Sequence, residues 1–148
     1  NYSLLCLRIM ILAANQNTKT FVKTVEQTVG PSFSLAERWR MGGVGSGKLI
    51  VFSASEALNK CFGNSQDIKF VIIELRKKGI IVHIRNSVNN YVWLIPFHHL
   101  SIFKSDLLSI HGAGQFIKID LSCLHGNNKA LLEKIMRLKA EVQVDGVF

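Results

Sequence analysis

The sequence predicts a mainly β domain of the α+β class, with about seven short antiparallel strands, a C-terminal amphipathic helix, and an N-terminal helical segment ahead of the strands. Two observations carry this prediction. From Lys48 onward, short runs of alternating apolar residues are separated by turn residues, as in antiparallel sheets. After Gly126 the apolar residues recur at helical spacing instead.

Length and composition indicate one globular domain. The 148 residues can bury a core, and an apolar content of 48% excludes a disordered chain. The formal charge of +8 favours association with nucleic acid or an anionic lipid surface, although net charge does not identify a partner. Cys6, Cys61 and Cys123 are odd in number and have no C-x-x-C spacing, which predicts reduced, buried thiols in a cytoplasmic protein.

Residues 1–47 are interpreted as an N-terminal extension, and residues 48–148 as the β domain with its helix. Leu4–Ala14 is apolar except at Arg8 and is shorter than the about 20 residues that a bilayer requires. It fits a helix or strand packed on the domain, the core of a signal sequence, or the end of a longer membrane segment.

Two further elements are predicted in the extension. Thr18–Val29 carries an apolar stripe at helical spacing and is followed by a Gly-Pro pair, which predicts a helix that ends there. Ser34–Glu37 has the form of a capping box and favours a second helix, but a strand over Glu37–Met41 fits equally well. Trp39 is expected in the core.

The glycine-rich segment Gly42–Lys48 matches the first seven positions of the phosphate-binding G-x-x-x-x-G-K pattern. The next position must be Ser or Thr to hold Mg²⁺, and here it is Leu49. A P-loop also needs a strand before it and a helix after it, whereas the residues that follow have the pattern of a strand. The segment is therefore interpreted as a glycine-rich hairpin loop rather than a nucleotide site.

Strand patterns then follow in close succession, with one helical turn over Ser55–Lys60. The strand Ile80–Arg85 alternates and should have one core face and one more polar face. Pro96 marks the end of the aromatic-rich strand, because proline has no N–H group to donate to the hydrogen bonds between strands. The run Ile68–Arg76 is strongly β-branched and nearly all apolar in its middle, so this strand should be buried well inside the sheet. The other predicted strands are Lys48–Ser53, Tyr91–Phe97, Leu107–His111 and Gln115–Leu121, and the turns and connections are Lys77–Gly79, Asn86–Asn90, His98–Phe103 and Gly112–Gly114.

The C-terminal helix is predicted from Leu131, Ile135, Leu138 and Val142, which share one helical face, with an N-cap supplied by 126–128. Such a face must be buried against the sheet. The aromatic-rich strand, with its side chains at every second position from Tyr91 to Phe97, is the expected partner of this helix.

The order of strands and helix resembles the pleckstrin-homology-like superfamily, and in particular its bacterial members. The resemblance spans Lys48 to Val142 and rests on Gly79–Val82, Tyr91–Phe97 and Phe116–Ile119. It implies a barrel that serves as a binding scaffold without catalytic chemistry or a cofactor.

Relatives in that superfamily often bind phosphoinositides through a basic hairpin with a [Lys/Arg]-x-Arg pair in its second strand. The matching residues here are Lys77 and Lys78, followed by His83 and Arg85. The sequence departs from the pattern because a histidine replaces the first basic residue and because this is not the first hairpin counted from Lys48.

No residue pattern predicts catalysis or a metal site. The histidines form no H-E-x-x-H or H-x-H motif, and the carboxylates are scattered singly. A basic and aromatic surface is the alternative feature, since Arg38 and Arg40 flank Trp39 as in surfaces that bind single-stranded RNA.

The sequence therefore predicts a non-catalytic binding or interaction module at the cytoplasmic face of a membrane, and RNA binding is the alternative. A protein partner or a second copy is the expected partner, with anionic lipid and nucleic acid as the other partners considered. The candidate binding residues are Lys77, Lys78, His83, Arg85, Arg38 and Arg40.

Overall fold

The structure is a computed structural model that describes residues 11–14, 19–63 and 67–145, with side chains as far as Val142. Most of the predicted Leu4–Ala14 segment, and Cys6 within it, lie outside the described residues. The elements in chain order are β1 (Ile11–Ala13), α1 (Lys19–Val29), α2 (Leu35–Met41), β2 (Leu49–Ala54), α3 (Glu56–Phe62), β3 (Phe70–Arg76), β4 (Gly79–Arg85), β5 (Asn90–Pro96), a 3₁₀ turn (Phe97–His99), β6 (Ser101–Lys104), β7 (Leu108–Gly112), β8 (Gln115–Ile119), a second 3₁₀ turn (Leu121–Cys123) and α4 (Gly126–Asp145).

The eight strands form one antiparallel sheet in the order β1-β5-β4-β3-β2-β8-β7-β6. Strand β2 joins its two halves, because Leu49 and Ile50 pair with β3 while Val51–Ala54 pair with β8. The register shifts between Val51 and Ser53, and such a bulge bends a strand. Inward side chains of both halves meet in one large apolar core.

The predicted closed barrel of about seven strands is not what the described strands form. Strands β1 and β6 occupy the two ends of the order and do not pair with each other among the described residues, so the sheet is open. The count is eight because Ile11–Ala13 pairs with Trp93, Val92 and Tyr91 on β5. The N-terminal segment thus contributes a strand as well as helices, and the coarser prediction of an α+β class is confirmed.

Helix α1 changes the burial of β4 from the predicted pattern. Val25 and Val29 of α1 pack on Ile81 of β4 and on Val92 and Leu94 of β5, which form a second, smaller core on the outer face of the sheet. Strand β4 is therefore buried on both faces over most of its length, and its predicted polar face is wrong except at its end. A strand pattern shows which residues share a face but not what covers that face.

Helix α4 closes the opposite side of the sheet. Leu131 and Ile135 are buried in the large core together with Trp93, and Lys139 Nζ donates to the carbonyl oxygen of Phe97 at 3.0 Å. The helix contacts the 3₁₀ turn that follows the aromatic-rich strand, and it shares the large core with Trp93 and Ile95 of that strand. The apolar face is shorter than predicted, since Val142 is exposed.

The start of α4 also differs from the prediction. The helix begins at Gly126, so Asn128 lies in its first turn and is not the N-cap. The Asn128 side chain instead accepts from the Gly47 N–H at 2.9 Å and donates to the carbonyl oxygen of Cys123 at 2.9 Å. Asn128 therefore ties the glycine-rich segment to the helix.

The glycine-rich segment runs from α2 into β2 along the edge of β3. Ser46 N–H donates to the Ile73 carbonyl oxygen at 2.8 Å, and Ser46 Oγ accepts from Ile73 N–H at 2.8 Å. A helix precedes the segment and a strand follows it, which reverses the order in a P-loop. The segment is a loop, but the predicted hairpin is wrong, because the loop joins a helix to a strand and is anchored to the edge of β3.

Candidate functional site

The six candidate binding residues fall into two groups at opposite ends of the β3–β4 hairpin. Lys77 and Lys78 lie in its turn, beside the segment that carries Arg38 and Arg40. His83 and Arg85 lie toward the far end of β4. Because a strand rises about 3.3 Å per residue, Arg85 is about 20 Å from the turn. The predicted basic hairpin is thus not one continuous site, and each end is described by itself.

Helix α2 is short but capped at both ends. Glu37 N–H donates to Ser34 Oγ at 3.2 Å, and Ser34 N–H donates to Glu37 Oε1 at 3.2 Å, which together form the capping box that the sequence indicated. At the other end, Gly42 adopts a left-handed conformation with φ of 74°. The alternative strand over Glu37–Met41 is wrong, because this segment is a helix with capping hydrogen bonds at both ends.

The apolar side chains of α2 point away from the core. Leu35 is 80% exposed and Trp39 is 89% exposed, and their spacing of four residues places them on one face of the helix. Trp39 was expected in the core, and the structure corrects this. No residue of α2 is buried, and Met41 makes only a half-buried contact with the large core. Adjacent exposed apolar side chains of this size are typical of surfaces that bind another molecule or a membrane.

Three basic side chains lie on α2 or next to it. Lys77 Nζ lies 3.4 Å from Glu37 Oε1 and 5.9 Å from the centre of the Phe33 ring. Arg38 Nε donates to the Phe33 carbonyl oxygen at 3.0 Å, and Arg40 is exposed on the same helix. The name "α2 surface" is used below for Leu35, Trp39, Arg38, Arg40 and Lys77.

Glu37 is the acidic residue among these groups, and it is held in its ionised form. Hydrogen bonds from the backbone and side chain of Ser34 lower the pKa of the Glu37 carboxyl, and the charge of Lys77 lowers it further. The carboxylate thereby fixes the start of α2 and forms an ion pair with the ammonium group of Lys77. The guanidinium charges of Arg38 and Arg40 are not paired with Glu37 in the structure.

The second candidate site is a cleft of about 850 Å³ on the outer face of β3 and β4. Phe70 and Ile72 of β3 are 37% and 40% exposed and form its apolar floor. The name "outer cleft" is used below for this floor together with its charged and polar lining, which includes Lys48, Lys69, Asp67, His83, Arg85 and the loop 86–90.

A hydrogen-bonded pair lies beside the cleft. His83 Nε2 is 3.2 Å from Glu74 Oε1, and Glu74 also pairs with the guanidinium of Arg76. The hydrogen bond with His83 is the largest cause of a lowered pKa for the Glu74 carboxyl, followed among the lowering effects by the charge of Arg76, while burial opposes both. An ionised carboxylate can only accept hydrogen bonds, so in this pair His83 Nε2–H is the donor and Glu74 Oε1 is the acceptor.

The Asn86 side chain makes several of the hydrogen bonds that hold the loop at one end of the cleft. Asn86 Oδ1 accepts from the N–H groups of Val88 and Asn89 at 2.8 and 2.7 Å, while its Nδ2 donates to the Cys61 carbonyl oxygen at 2.8 Å. The predicted turn over Asn86–Asn90 is therefore an Asx-type turn anchored to α3.

Several residues of the two surfaces were missed at the level of sequence. The predicted burial of Ile68–Arg76 is wrong on one side, because Phe70, Ile72 and Glu74 lie on the accessible outer face of the sheet. The signal was present in the position of Glu74, because a carboxylate at every-second-residue spacing from Phe70 and Ile72 marks that face as accessible. Leu35 was considered only as part of the helix cap.

The histidine and cysteine residues do not form a metal-binding cluster in the part of the chain that the structure describes. No group of three or more His, Cys, Asp or Glu side chains lies close enough there to hold a metal ion. His98 and His99 lie in a 3₁₀ turn with ring centroids 4.2 Å apart, and burial is the main cause of a lowered pKa for His98. Cys123 Sγ accepts a hydrogen bond from Ile50 N–H at 3.3 Å.

Comparison with known proteins gives no relative for this chain: no protein-family model, no curated protein and no solved structure matches it. Among residues 11–14, 19–63 and 67–145, none of the helices is both long enough and apolar enough to span a bilayer.

Proposed function

We propose that the protein is a non-catalytic binding module that associates with an anionic membrane surface through the α2 surface. The observation that carries this proposal is the joint exposure of Leu35 and Trp39 on one helix face, with Arg38 and Arg40 beside them. Trp is favoured at the boundary between water and acyl chains, and basic side chains attract anionic head groups.

The order of elements supports the finer proposal of a pleckstrin-homology-like scaffold. From β2 onward there is a meander of four strands, then a meander of three whose last strand returns to pair with β2, and then a helix. Such a scaffold displays binding residues without chemistry of its own. The basic turn Lys77–Lys78 lies next to α2 in this arrangement, which would place its charges on the membrane side. The proposed location is the cytoplasmic face of a membrane.

RNA binding is the second candidate, because an exposed Trp39 between two arginines also suits base stacking and phosphate contact. Stacking on one aromatic side chain contributes about 1–3 kcal/mol per base. Leu35 distinguishes the two candidates. It adds apolar surface that a bilayer would bury, but it offers no ring on which a base can stack. The exposure of Leu35 therefore favours the membrane.

The proposal is tested by sedimentation with vesicles of phosphatidylcholine alone and of phosphatidylcholine with phosphatidylserine, at low and high salt. We expect binding to the anionic vesicles at low salt and a marked loss at high salt, because ions screen the contribution of the arginines. Trp39→Ala should weaken binding about tenfold, which corresponds to about 1.4 kcal/mol. Leu35→Ala should weaken it by a smaller factor.

Fluorescence locates the contact without a substitution. Trp93 is 1% exposed, so a change in emission on adding vesicles reports Trp39. A blue shift, with quenching by lipids brominated on the acyl chain, is the expected result. For the Trp39→Ala binding experiment, Phe52→Ala is the matched control. Phe52 is also an exposed aromatic residue, but it lies on β2, so its removal should leave vesicle binding unchanged.

Two results would contradict the proposal. One is equal binding of wild type and Trp39→Ala to anionic vesicles. The other is a gel shift with single-stranded RNA that depends on Trp39 and not on Leu35, in the absence of vesicle binding; this result would select the RNA candidate. If neither vesicles nor RNA are bound, we expect the partner to be another protein or a second copy of this chain. Sedimentation velocity measures self-association directly.

A further inference from the structure

The outer face of the sheet is covered on one side only. Helix α1 covers Ile81, Val92 and Leu94, and these side chains are at most 4% exposed. The neighbouring positions on β3, Phe70 and Ile72, belong to the same face but are 37% and 40% exposed. The boundary between the two regions is occupied by the His83 and Glu74 pair.

Cations border this apolar floor. Lys48 Nζ lies 5.4 Å from the centre of the Phe70 ring, and Lys69 Nζ lies 5.6 Å from the centre of the Phe62 ring. Arg85 is exposed at the end of β4 and also lines the cleft. Asp67 is the acidic residue in the lining, so positive charge exceeds negative charge around the floor.

The dimensions and walls of the cleft limit the size of its occupant. A cleft of about 850 Å³ is within the range of small-molecule sites, which is about 300–1,000 Å³. The loop held by Asn86 closes one end. An apolar floor of two side chains with cations at its border is complementary to a molecule that has an apolar chain and one anionic end.

We propose that the outer cleft binds a soluble single-chain amphiphile with a carboxylate end. Its chain lies on Phe70 and Ile72, and its carboxylate is placed between Lys48 and Arg85. This site is separate from the α2 surface, since Arg85 and the turn at Lys77 lie at opposite ends of the hairpin. It therefore does not depend on the membrane proposal.

Calorimetry with decanoate and with 1-decanol tests this proposal, with both kept below their solubility limits and micelle concentrations. The two share an apolar chain and differ in charge. We expect one decanoate per chain, bound about tenfold more tightly than decanol, because only decanoate can form a charge-assisted contact with the cations. Equal affinity for the two, or no binding of decanoate, would overturn the proposal.

Variants assign the binding to this cleft. Ile72→Ser should weaken the binding of both compounds, because it removes part of the shared floor. Lys48→Gln combined with Arg85→Gln should remove most of the tenfold preference and leave decanol binding unchanged. All three residues are exposed, so the fold is expected to persist, and circular dichroism checks this. Lys118→Gln on β8 is the control for a change in charge away from the cleft.

The remaining arms distinguish a soluble ligand from a lipid in a bilayer. Trp39→Ala should bind decanoate as the wild type does. The variant carrying Lys48→Gln and Arg85→Gln should bind anionic vesicles no more weakly than a control variant in which two lysines outside the cleft are changed, Lys118→Gln and Lys60→Gln. A cleft variant that loses vesicle binding while retaining its preference for decanoate over decanol would overturn the assignment and identify the cleft as a bilayer contact.

Discussion

Gly112 of β7 lies directly against Ile95 of β5, from the opposite half of the sheet. A β-carbon at Gly112 would lie 2.7 Å from Ile95 Cγ2 and 3.3 Å from Trp93 Cζ2. Ile95 and Trp93 are both 1% exposed, so neither has free space into which it can move. The absence of a side chain at residue 112 therefore sets how closely the two halves of the sheet approach.

Gly112→Ala should lower the free energy of unfolding by about 1–3 kcal/mol, because one added methyl group overpacks a filled core. Chemical denaturation followed by circular dichroism measures this. Gly45→Ala is the matched control, since nothing lies within 4 Å of a β-carbon there, and its effect should be small. In a double-mutant cycle, Ile95→Ala should offset part of the cost of Gly112→Ala. Strictly additive effects would contradict the contact.

Trp93→Ala should lower the free energy of unfolding by about 3–5 kcal/mol, because it leaves a cavity in a core where Trp93 is the largest fully buried side chain. Trp39→Ala removes the same side chain from an exposed site and should change stability by less than about 0.5 kcal/mol. Thermal unfolding compares the two. Comparable losses from both substitutions would show that Trp39 packs on the protein in solution.

The ionised form of Glu74 should stabilise the fold in a pH-dependent way. The pKa of this carboxyl is lowered below 4.5 in the folded state, chiefly by the hydrogen bond with His83. Its contribution is therefore complete at neutral pH and is lost as the pH falls from 4.5 through the folded-state pKa. The stability difference between wild type and Glu74→Gln should shrink over this interval in urea titrations.

The control for this titration is Glu56→Gln. Glu56 lies on α3 with its carboxylate 3.7 Å from Lys60 Nζ, and an exposed pair of this kind contributes about 0.3–0.5 kcal/mol. We expect little change in stability at any pH. A difference between wild type and Glu74→Gln that stays constant from pH 7 to below 4.5 would show that Glu74 acts through packing rather than charge.

Ser34→Ala should loosen α2 and thereby weaken vesicle binding. The substitution removes the acceptor for Glu37 N–H, and the loss of an N-cap costs about 1 kcal/mol. Because α2 buries none of its residues, the helix depends on its two caps, on the ion pair of Glu37 with Lys77 and on the half-buried contact of Met41. Hydrogen exchange at Arg38 N–H, which bonds to the Ser34 carbonyl oxygen, measures the fraying. Ser34→Asp retains a capping acceptor and should restore slow exchange.

The sequence predicted the elements that depend on local pattern. The strands around Lys77–Gly79, the capping box at Ser34 and the helix after Gly126 all follow from residues close together in the chain. Burial of the aromatic-rich strand could also be predicted, because its apolar residues recur with the period of a strand.

Positions that depend on distant parts of the chain could not be predicted in this way. Trp39 has the composition of a core residue, and no neighbour in sequence shows that α2 would lie on the outside. Likewise, Phe70 and Ile81 are similar side chains on one face of the sheet. Helix α1 covers Ile81 but not Phe70, and only the path of the chain decides this.

The sequence by itself determined most of the segments that form strands and helices, although not every boundary, since hydrogen bonding within a helix or hairpin and the cost of Gly and Pro are local effects. The tertiary structure alone decided which apolar side chains stay in water. Leu35, Trp39, Phe70 and Ile72 remain accessible because the helices and strands nearby are already packed elsewhere. Both proposed binding surfaces consist of the apolar groups that this packing leaves exposed, together with the cations beside them.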